Sequence, residues 1–172
     1  MPHNEIDQTI AKYANAYEEL EEYQQAKRWM QVGDQKTGVI GEYYVFAYLA
    51  ALHGEKSIKY GKPTEKGWDI KICSSPVRKI QVKTVSEFSK TRRISPIHKG
   101  WDHLYLVFLN KKLYPTGFWI LEDSKIFGDK KTLGAKTCPN PSKPKMKGSK
   151  IFRKLNNRVD DLTNTLDRLR KN

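Results

Sequence analysis

Asp69, Gln81 and Lys83 place an acid, an amide and an ammonium group close together near the middle of the chain. They belong to two segments, 68–73 and 79–85, in which apolar and polar residues alternate as in half-buried strands. A Ser-Ser-Pro sequence separates the segments, so we predict a hairpin that brings the three polar side chains onto one small patch of a sheet. Such a trio suits a metal ion and a phosphate better than a hydrophobic core.

A fourth candidate, Glu42, lies upstream in a strongly apolar helix predicted over residues 39–52. The expected buried face of that helix is formed by Val45, Phe46, Leu49 and Leu52. Glu42 falls on the same face, where a carboxylate is costly unless it binds something. The alternative is a glutamate at the edge of the core that reaches solvent or pairs with a lysine. Because Asp69 and Lys83 are expected nearby, we favour a role for Glu42 in the site over this alternative.

The strings WDIKI, IQVK and GEYYVFAYLA, together with their strand and helix context, resemble the PD-(D/E)XK nuclease superfamily between residues 38 and 121. Its active-site hairpin usually carries D-x(n)-(D/E)-x-K, and an upstream helix supplies a further Glu. Here Trp68 precedes Asp69 where the motif usually has Pro, and Gln81 replaces the acid of the triplet, as in Mrr-like enzymes. The resemblance implies a restriction-endonuclease-like core that hydrolyses phosphodiester bonds with a divalent metal.

The resemblance also implies a role for each residue. Asp69 is expected to be the principal ligand of Mg²⁺, for which Mn²⁺ can substitute, and Glu42 is expected to supply a second carboxylate. The backbone carbonyl of Val82 can add a neutral oxygen. Lys83 is expected to orient or deprotonate the attacking water and to offset charge on the phosphate. Gln81 offers an amide oxygen without charge, which should weaken metal binding, so metal binding should depend more on Glu42.

Charge is unevenly distributed along the 172 residues, whose formal net charge is +13. Residues 1–60 hold 6 Lys and Arg against 9 Asp and Glu, a net of −3, whereas residues 61–172 hold 26 against 10, a net of +16. A basic body of this kind indicates a polyanionic partner. We expect DNA, and RNA stays open; the alternative is a protein that is merely basic and soluble.

Segment 86–100 contains Pro96 and has no clean period, so it is predicted to be a basic loop beside the site. The superfamily normally has a helix here, which must be short or missing in this chain. Candidate phosphate-binding residues come from this loop and the hairpin: Lys71, Lys90, Arg92, Arg93, His98 and Lys99. The alternative is an ordinary surface loop.

Four segments are predicted: an N-terminal helical segment (1–37), a nuclease-like core (38–128), a basic Pro- and Lys-rich loop (129–150) and a C-terminal amphipathic helix (151–172). The expected fold class is α/β, a restriction-endonuclease-like mixed sheet with flanking N- and C-terminal helices. Segment 102–110 is apolar on both faces and is predicted to be a central strand.

Apolar residues of the last segment step by three and four in a heptad pattern: Phe152, Leu155, Val159, Leu162, Leu166 and Leu169. Two interpretations stay open. The stripe either forms the seam of a homodimer or packs on its own domain.

No run reaches about 18 apolar residues, so no membrane span is expected. The first residues lack the basic and apolar regions of a signal peptide. Cys73 and Cys138 have no partners at metal-ligand spacing, which favours free thiols in a reducing cytoplasm.

The function expected from these observations is that of a Mg²⁺-dependent endonuclease acting on DNA, of the restriction type or the repair and junction type. The rival is a binding module that keeps the nuclease fold without cleavage. Gln81 keeps that rival open because the site has one fewer negative charge with which to hold a metal.

Overall fold

The computed structural model describes residues 3–27, 36–62, 65, 67–122 and 124–171. Within these ranges the helices and strands are α1 (His3–Lys27), α2 (Lys36–His53), β1 (Ile58–Tyr60), β2 (Ile70–Ile72), β3 (Arg78–Ser86), β4 (Arg93–Ile94), β5 (Ile97–His98), β6 (His103–Leu109), β7 (Pro115–Leu121), β8 (Thr132–Leu133), β9 (Lys136–Thr137) and α3 (Val159–Lys171). None of the described helices combines the length and the apolar character that a membrane span requires.

A five-stranded mixed sheet with the spatial order β1-β2-β3-β6-β7 forms the centre of this α/β fold. β1, β2 and β3 make an antiparallel meander, β6 pairs parallel to β3, and β7 pairs antiparallel to β6. A parallel pair needs a long crossover, which is commonly a helix. Here residues 87–102 make the crossover with the short strands β4 and β5 and contain no α-helix, in agreement with the prediction that a helix would be short or missing there.

The helices cover one face of the sheet. α2 packs on β3, and α3 packs on α2 and β7. Side chains from α2 and from alternate positions of the strands meet in a buried core, for example Ile40, Tyr44, Val45, Ile80, Val82 and Val107. An ion pair between Arg170 and Asp7, 2.6 Å from Nε to Oδ2, joins α3 to α1.

The opposite face is covered by a second layer without α-helix, in which β4 pairs with β9 and β5 pairs with β8. Ile94, Ile97, Leu133 and Cys138 from this layer pack against the sheet. Segment 129–150 is therefore more than the predicted basic loop, because part of it is buried. Since both faces are covered, residues 104–109 of β6 are all buried, which confirms the predicted central strand.

α2 begins at Lys36 rather than at residue 39, and its buried face is rotated relative to the prediction. Leu52 was expected to be buried but is 56% exposed. The face that contacts the sheet instead includes Ile40, Gly41 and Tyr44. It does so because Gly41 has no side chain: a Cβ there would overlap the Thr84 side chain of β3. Residues 28–35 of the predicted N-terminal segment lie outside the described residues.

The C-terminal helix begins at Val159, not at residue 151 as predicted. Its start is fixed by a tertiary contact, because the Asn157 carbonyl Oδ1 accepts the N–H groups of both Val159 and Phe118. Phe152 precedes the helix in a short 3-10 turn and is buried in the second layer. The heptad pattern is thus interrupted.

Leu162 and Leu166, in the remaining part of the stripe, are 0% and 3% exposed within this chain. They belong to the core of the helix layer. The interpretation that the stripe packs on its own domain is therefore confirmed for these leucines, and they are not available as a seam between two copies.

The close contact between α2 and β3 gives a test of the fold. Gly41→Ala should lower the free energy of unfolding by about 1–3 kcal/mol, because the added methyl forces α2 away from Thr84. Gly38→Ala on the same helix is the matched control, since a Cβ at Gly38 would meet no atom within 4 Å. We expect Gly38→Ala to be neutral or up to about 1 kcal/mol more stable, through helix propensity. Denaturant unfolding measures both, and equal effects would contradict the packing.

Candidate active site at the open edge of strand β3

The edge of β3 beside β2 is only partly paired. β2 pairs with β3 as far as Ile70 opposite Ile80, and no described strand lies beside β3 beyond that point on this edge. Asp69 takes the place of the missing partner. Its N–H donates to the Ile80 carbonyl at 2.8 Å, and its carboxylate Oδ2 accepts the N–H of Val82 at 2.7 Å. A charged side chain thus continues the ladder.

The Val82 carbonyl faces the same edge as Asp69. In an extended strand the N–H and C=O of one residue point to the same side, and the Val82 N–H points at Asp69. The Asp69 carboxylate and the Val82 carbonyl therefore lie on the same edge of β3.

Lys83 is held from the second layer. Its Nζ donates to the Ser95 hydroxyl at 2.8 Å, and Ser95 lies between β4 and β5. Burial lowers the pKa of Lys83, while the charges of Asp69 and Glu42 raise it. The ammonium is thus half-buried and close enough to both carboxylates to feel their charge.

Gln81 is 2% exposed and only partly satisfied. Its Nε2 donates to the Gly67 carbonyl at 3.3 Å, whereas its Oε1 has no hydrogen-bond partner among the described residues. A buried oxygen without a partner costs about 1–3 kcal/mol. The amide oxygen is therefore an acceptor without a partner in the described part of the chain, enclosed by the protein.

Glu42 is half-buried and lies next to the close contact that Gly41 makes with β3. Burial, and then the charge of Asp69, raise the pKa of Glu42 to about 7, while Lys83 lowers it. The Glu42 carboxyl makes no hydrogen bond or ion pair within the part of the chain that the structure describes. The helix face therefore brings a second, unpartnered carboxylate toward Asp69.

The pKa of Asp69 is also raised by burial, against the lowering effects of its bond from Val82 and the charge of Lys83. Two half-buried carboxylates thus share one lysine. If all three groups are charged, their sum is −1, and a cation would relieve the repulsion between the acids.

The donor set fits Mg²⁺. This ion is commonly held by one or two carboxylates and keeps several of its waters. Asp69, Glu42 and the Val82 carbonyl offer hard oxygens of this kind. The described residues contain no group of three or more His, Cys, Asp or Glu side chains that could hold a metal, so the arrangement does not resemble a site closed by protein ligands.

The candidate phosphate-binding residues have different environments. Lys90, Arg93 and Lys99 are exposed, and Lys71 is half-buried on β2. The other two, Arg92 and His98, also make contacts within the second layer. Arg92 Nε donates to the Cys138 carbonyl at 3.2 Å, and His98 Nδ1 lies 3.2 Å from the Thr132 hydroxyl. These two therefore stabilise the layer beside the site as well as adding charge.

Sequence reasoning did not identify Ser95, Gly41 or Tyr60 as parts of the site. No local pattern in the sequence indicates Ser95, because its contact with Lys83 forms only when the connection between β3 and β6 has folded over the sheet. Gly41 had a signal, since glycine inside a helix is unfavourable and is typical of a close approach between backbones. Tyr60 stacks on Phe46 with ring centroids 4.5 Å apart, and burial followed by the charge of Glu42 raises its pKa to about 12.

Comparisons with protein-family models and with curated proteins find no match for this chain.

The raised pKa of Glu42 makes a prediction about stability. The folded value of about 7 lies above the ordinary value of 4.5, so folding favours the protonated carboxyl. The cost of burying the charge is absent below about 4.5, grows as the pH rises, and is complete above about 7. Without metal, Glu42→Gln should therefore raise the melting temperature at pH 8 and leave it nearly unchanged at pH 4.5.

Glu42 is half-exposed, so solvent screens part of its charge. We therefore expect Glu42→Gln to raise the free energy of unfolding by about 1 kcal/mol at pH 8. This corresponds to a rise in melting temperature of about 2–4 °C for a chain of this size. Glu55→Gln is the control because its side chain is exposed. Thermal unfolding in EDTA measures the difference. A lower melting temperature for Glu42→Gln at pH 8 would mean that Glu42 stabilises the fold.

Proposed function

We propose that the protein is a metal-dependent endonuclease with a restriction-endonuclease-like core that hydrolyses phosphodiester bonds of DNA. The observation that carries the proposal is that Asp69, bonded to the Val82 N–H at the open edge of β3, lies close enough to Glu42 and Lys83 for their charges to interact. A helix with a glutamate followed by a hairpin with Asp and Gln-x-Lys is the order that the resemblance implies. The uneven charge of the chain supports a polyanionic substrate.

Asp69 and Glu42 would hold Mg²⁺ or Mn²⁺, and the Val82 carbonyl would add a neutral ligand. When bound, the ion supplies Lewis-acid stabilisation of the charge that develops on the phosphate. The hydrogen bond from Val82 fixes the Asp69 carboxylate in advance, so little reorganisation is needed.

Lys83 would act on the attacking water and the phosphate. Burial lowers the pKa of Lys83, so its amine gives up a proton more readily than that of an exposed lysine. In its charged form, it offsets the charge of the transition state. The Ser95 hydroxyl orients Nζ, and the partnerless Gln81 Oε1 would accept a hydrogen bond from water.

The second candidate function is a nuclease-fold module that binds nucleic acid without cutting it. Gln81 favours this candidate, because an amide at a position that usually carries an acid removes one negative charge from the metal ligands. In that case, the +16 net charge of residues 61–172 provides the affinity and the site holds no catalytic ion.

Plasmid nicking separates the two functions. In Mg²⁺ or Mn²⁺, the wild type should nick supercoiled DNA, and Asp69→Asn and Lys83→Ala should each reduce nicking by at least about 100-fold. Without metal, Asp69→Asn should bind duplex DNA as tightly as the wild type or more tightly, because it removes a charge that repels phosphate. EDTA should stop nicking.

Equal nicking by wild type and Asp69→Asn would mean that the activity comes from a contaminant or from another site. No nicking by the wild type on plasmid, linear duplex or RNA would favour the binding module.

The Ser95 contact predicts a smaller effect on the same reaction. Ser95→Ala should lower the nicking rate about tenfold, since losing one hydrogen bond to a charged group costs about 1.5 kcal/mol. Ser95→Thr keeps the hydroxyl and should restore most of the rate. An unchanged KM for DNA would indicate that Ser95 positions Lys83 and does not bind substrate. Equal rates for all three proteins would contradict this role.

A further inference from the structure

Residues 138–148 form a loop, named here the proline loop. Its neck consists of Thr137 and Ser149, which hydrogen-bond to each other. The Thr137 N–H donates to the Ser149 hydroxyl at 2.8 Å, and the Ser149 N–H donates to the Thr137 carbonyl at 2.9 Å. Inside the loop, the Asn140 N–H donates to the Met146 carbonyl at 3.0 Å. Three prolines further restrict the backbone. The backbone of the loop is thus held in one arrangement, and its lysine side chains are exposed.

Gly148 is required at the end of the loop. Its φ of 69° lies in the left-handed region, and a Cβ there would lie 2.5 Å from the Thr137 carbonyl oxygen. The neck is therefore tight, which agrees with a loop that keeps one conformation.

Arg92 connects the proline loop to the layer beside the candidate active site. The Cys138 N–H donates to the Arg92 carbonyl at 2.9 Å, and Arg92 Nε donates to the Cys138 carbonyl at 3.2 Å. A third contact joins Arg92 Nη1 to the Met146 sulfur at 3.5 Å. A guanidinium has five N–H donors, so Arg92 keeps donors for a ligand after these contacts.

An open cleft of about 620 Å³ lies between the loop and the segment that follows it. Cations and hydroxyl groups line it: Arg92, Thr137, Lys145, Lys147, Ser149 and Arg153. No carboxylate is among the residues that line the cleft. In the sequence, residues 130–158 contain eight Lys, two Arg and no Asp or Glu.

The chemistry of the cleft selects the backbone of a nucleic acid rather than its bases. Single strands are commonly held by aromatic side chains on which bases stack, and no aromatic residue lines this cleft. Guanidinium, ammonium and hydroxyl donors suit phosphate oxygens. A duplex, which presents its phosphates outward and keeps its bases stacked, therefore fits better than a single strand.

One residue that lines the cleft, Arg92, is close along the chain to a residue that contacts the candidate active site. Arg92 is three residues before Ser95, the partner of Lys83, so their Cα atoms are at most about 10 Å apart. Duplex DNA has one phosphate per strand for about every 3.4 Å of its axis. Phosphates about three base pairs from the one at Lys83 would thus be within reach of the cleft.

We propose that this cleft is a second binding site, which holds the phosphodiester backbone of duplex DNA a few base pairs from the scissile phosphate. The position relative to the scissile phosphate rests on the proposed function. Binding itself does not, because the cleft needs neither metal nor cleavage.

The test is a binding titration with a labelled 20-base-pair duplex in EDTA at several salt concentrations. The variant Lys145→Ala/Lys147→Ala removes two exposed cations of the cleft. The matched control, Lys56→Ala/Lys59→Ala, removes two exposed lysines next to or within β1. The cleft variant should bind at least tenfold more weakly at 100 mM salt, and its negative slope of log K against log salt should become shallower by about 1.8. The control should bind like the wild type.

A single variant, Arg153→Ala, provides an independent check and should weaken binding in the same direction. Equal weakening by the cleft and control variants would overturn the site, because binding would then depend on the total charge of the protein and not on the position of the lysines. Tighter binding of a single strand of the same length, or no binding by the wild type, would overturn it too.

The same proteins distinguish failure of the two proposals. Binding that depends on the cleft, without nicking in Mg²⁺ or Mn²⁺, would support the proposed cleft and contradict the proposed enzymatic function. Nicking with unchanged KM and unchanged affinity in the cleft variant would leave the enzyme in place and remove the cleft.

Discussion

The candidate site depends on one hydrogen bond, from the Val82 N–H to the Asp69 carboxylate at 2.7 Å. It forms because β2 is short and ends its pairing at Ile80, so a side chain completes the edge of β3. The bond fixes Asp69 on the edge that the Val82 carbonyl also faces, and the charges of Glu42 and Lys83 are close enough to interact with it. A longer β2 would fill the edge with backbone and remove the site.

The surrounding structure holds charged groups where they are costly. α2 approaches β3 closely because Gly41 has no side chain, and this contact carries Glu42 into a half-buried position. From the opposite face, Ser95 holds Lys83. Burial disfavours the charged form of each of the three ionisable groups, as their pKa shifts show. An arrangement that lowers stability without a ligand is typical of a functional site.

Local patterns in the sequence predicted the hairpin, the apolar helix with Glu42 and the central strand. The hairpin has a clear alternation on either side of Ser-Ser-Pro, and the helix and the central strand are continuous apolar runs. The second layer was missed because its strands are only two residues long and show no period. Its key contact joins Arg92 to Cys138, 46 positions later. The start of α3 was also missed, since Asn157 ends the heptad pattern through a bond to Phe118 that only the folded chain can form.

Electron paramagnetic resonance of Mn²⁺ measures directly whether Asp69 and Glu42 form a metal site. We expect one bound ion per wild-type chain, none in Asp69→Asn under the same conditions, and weaker binding in Glu42→Gln, because these two carboxylates supply the charge of the site. Equal binding by wild type and Asp69→Asn, or no binding by the wild type at millimolar Mn²⁺, would contradict this expectation.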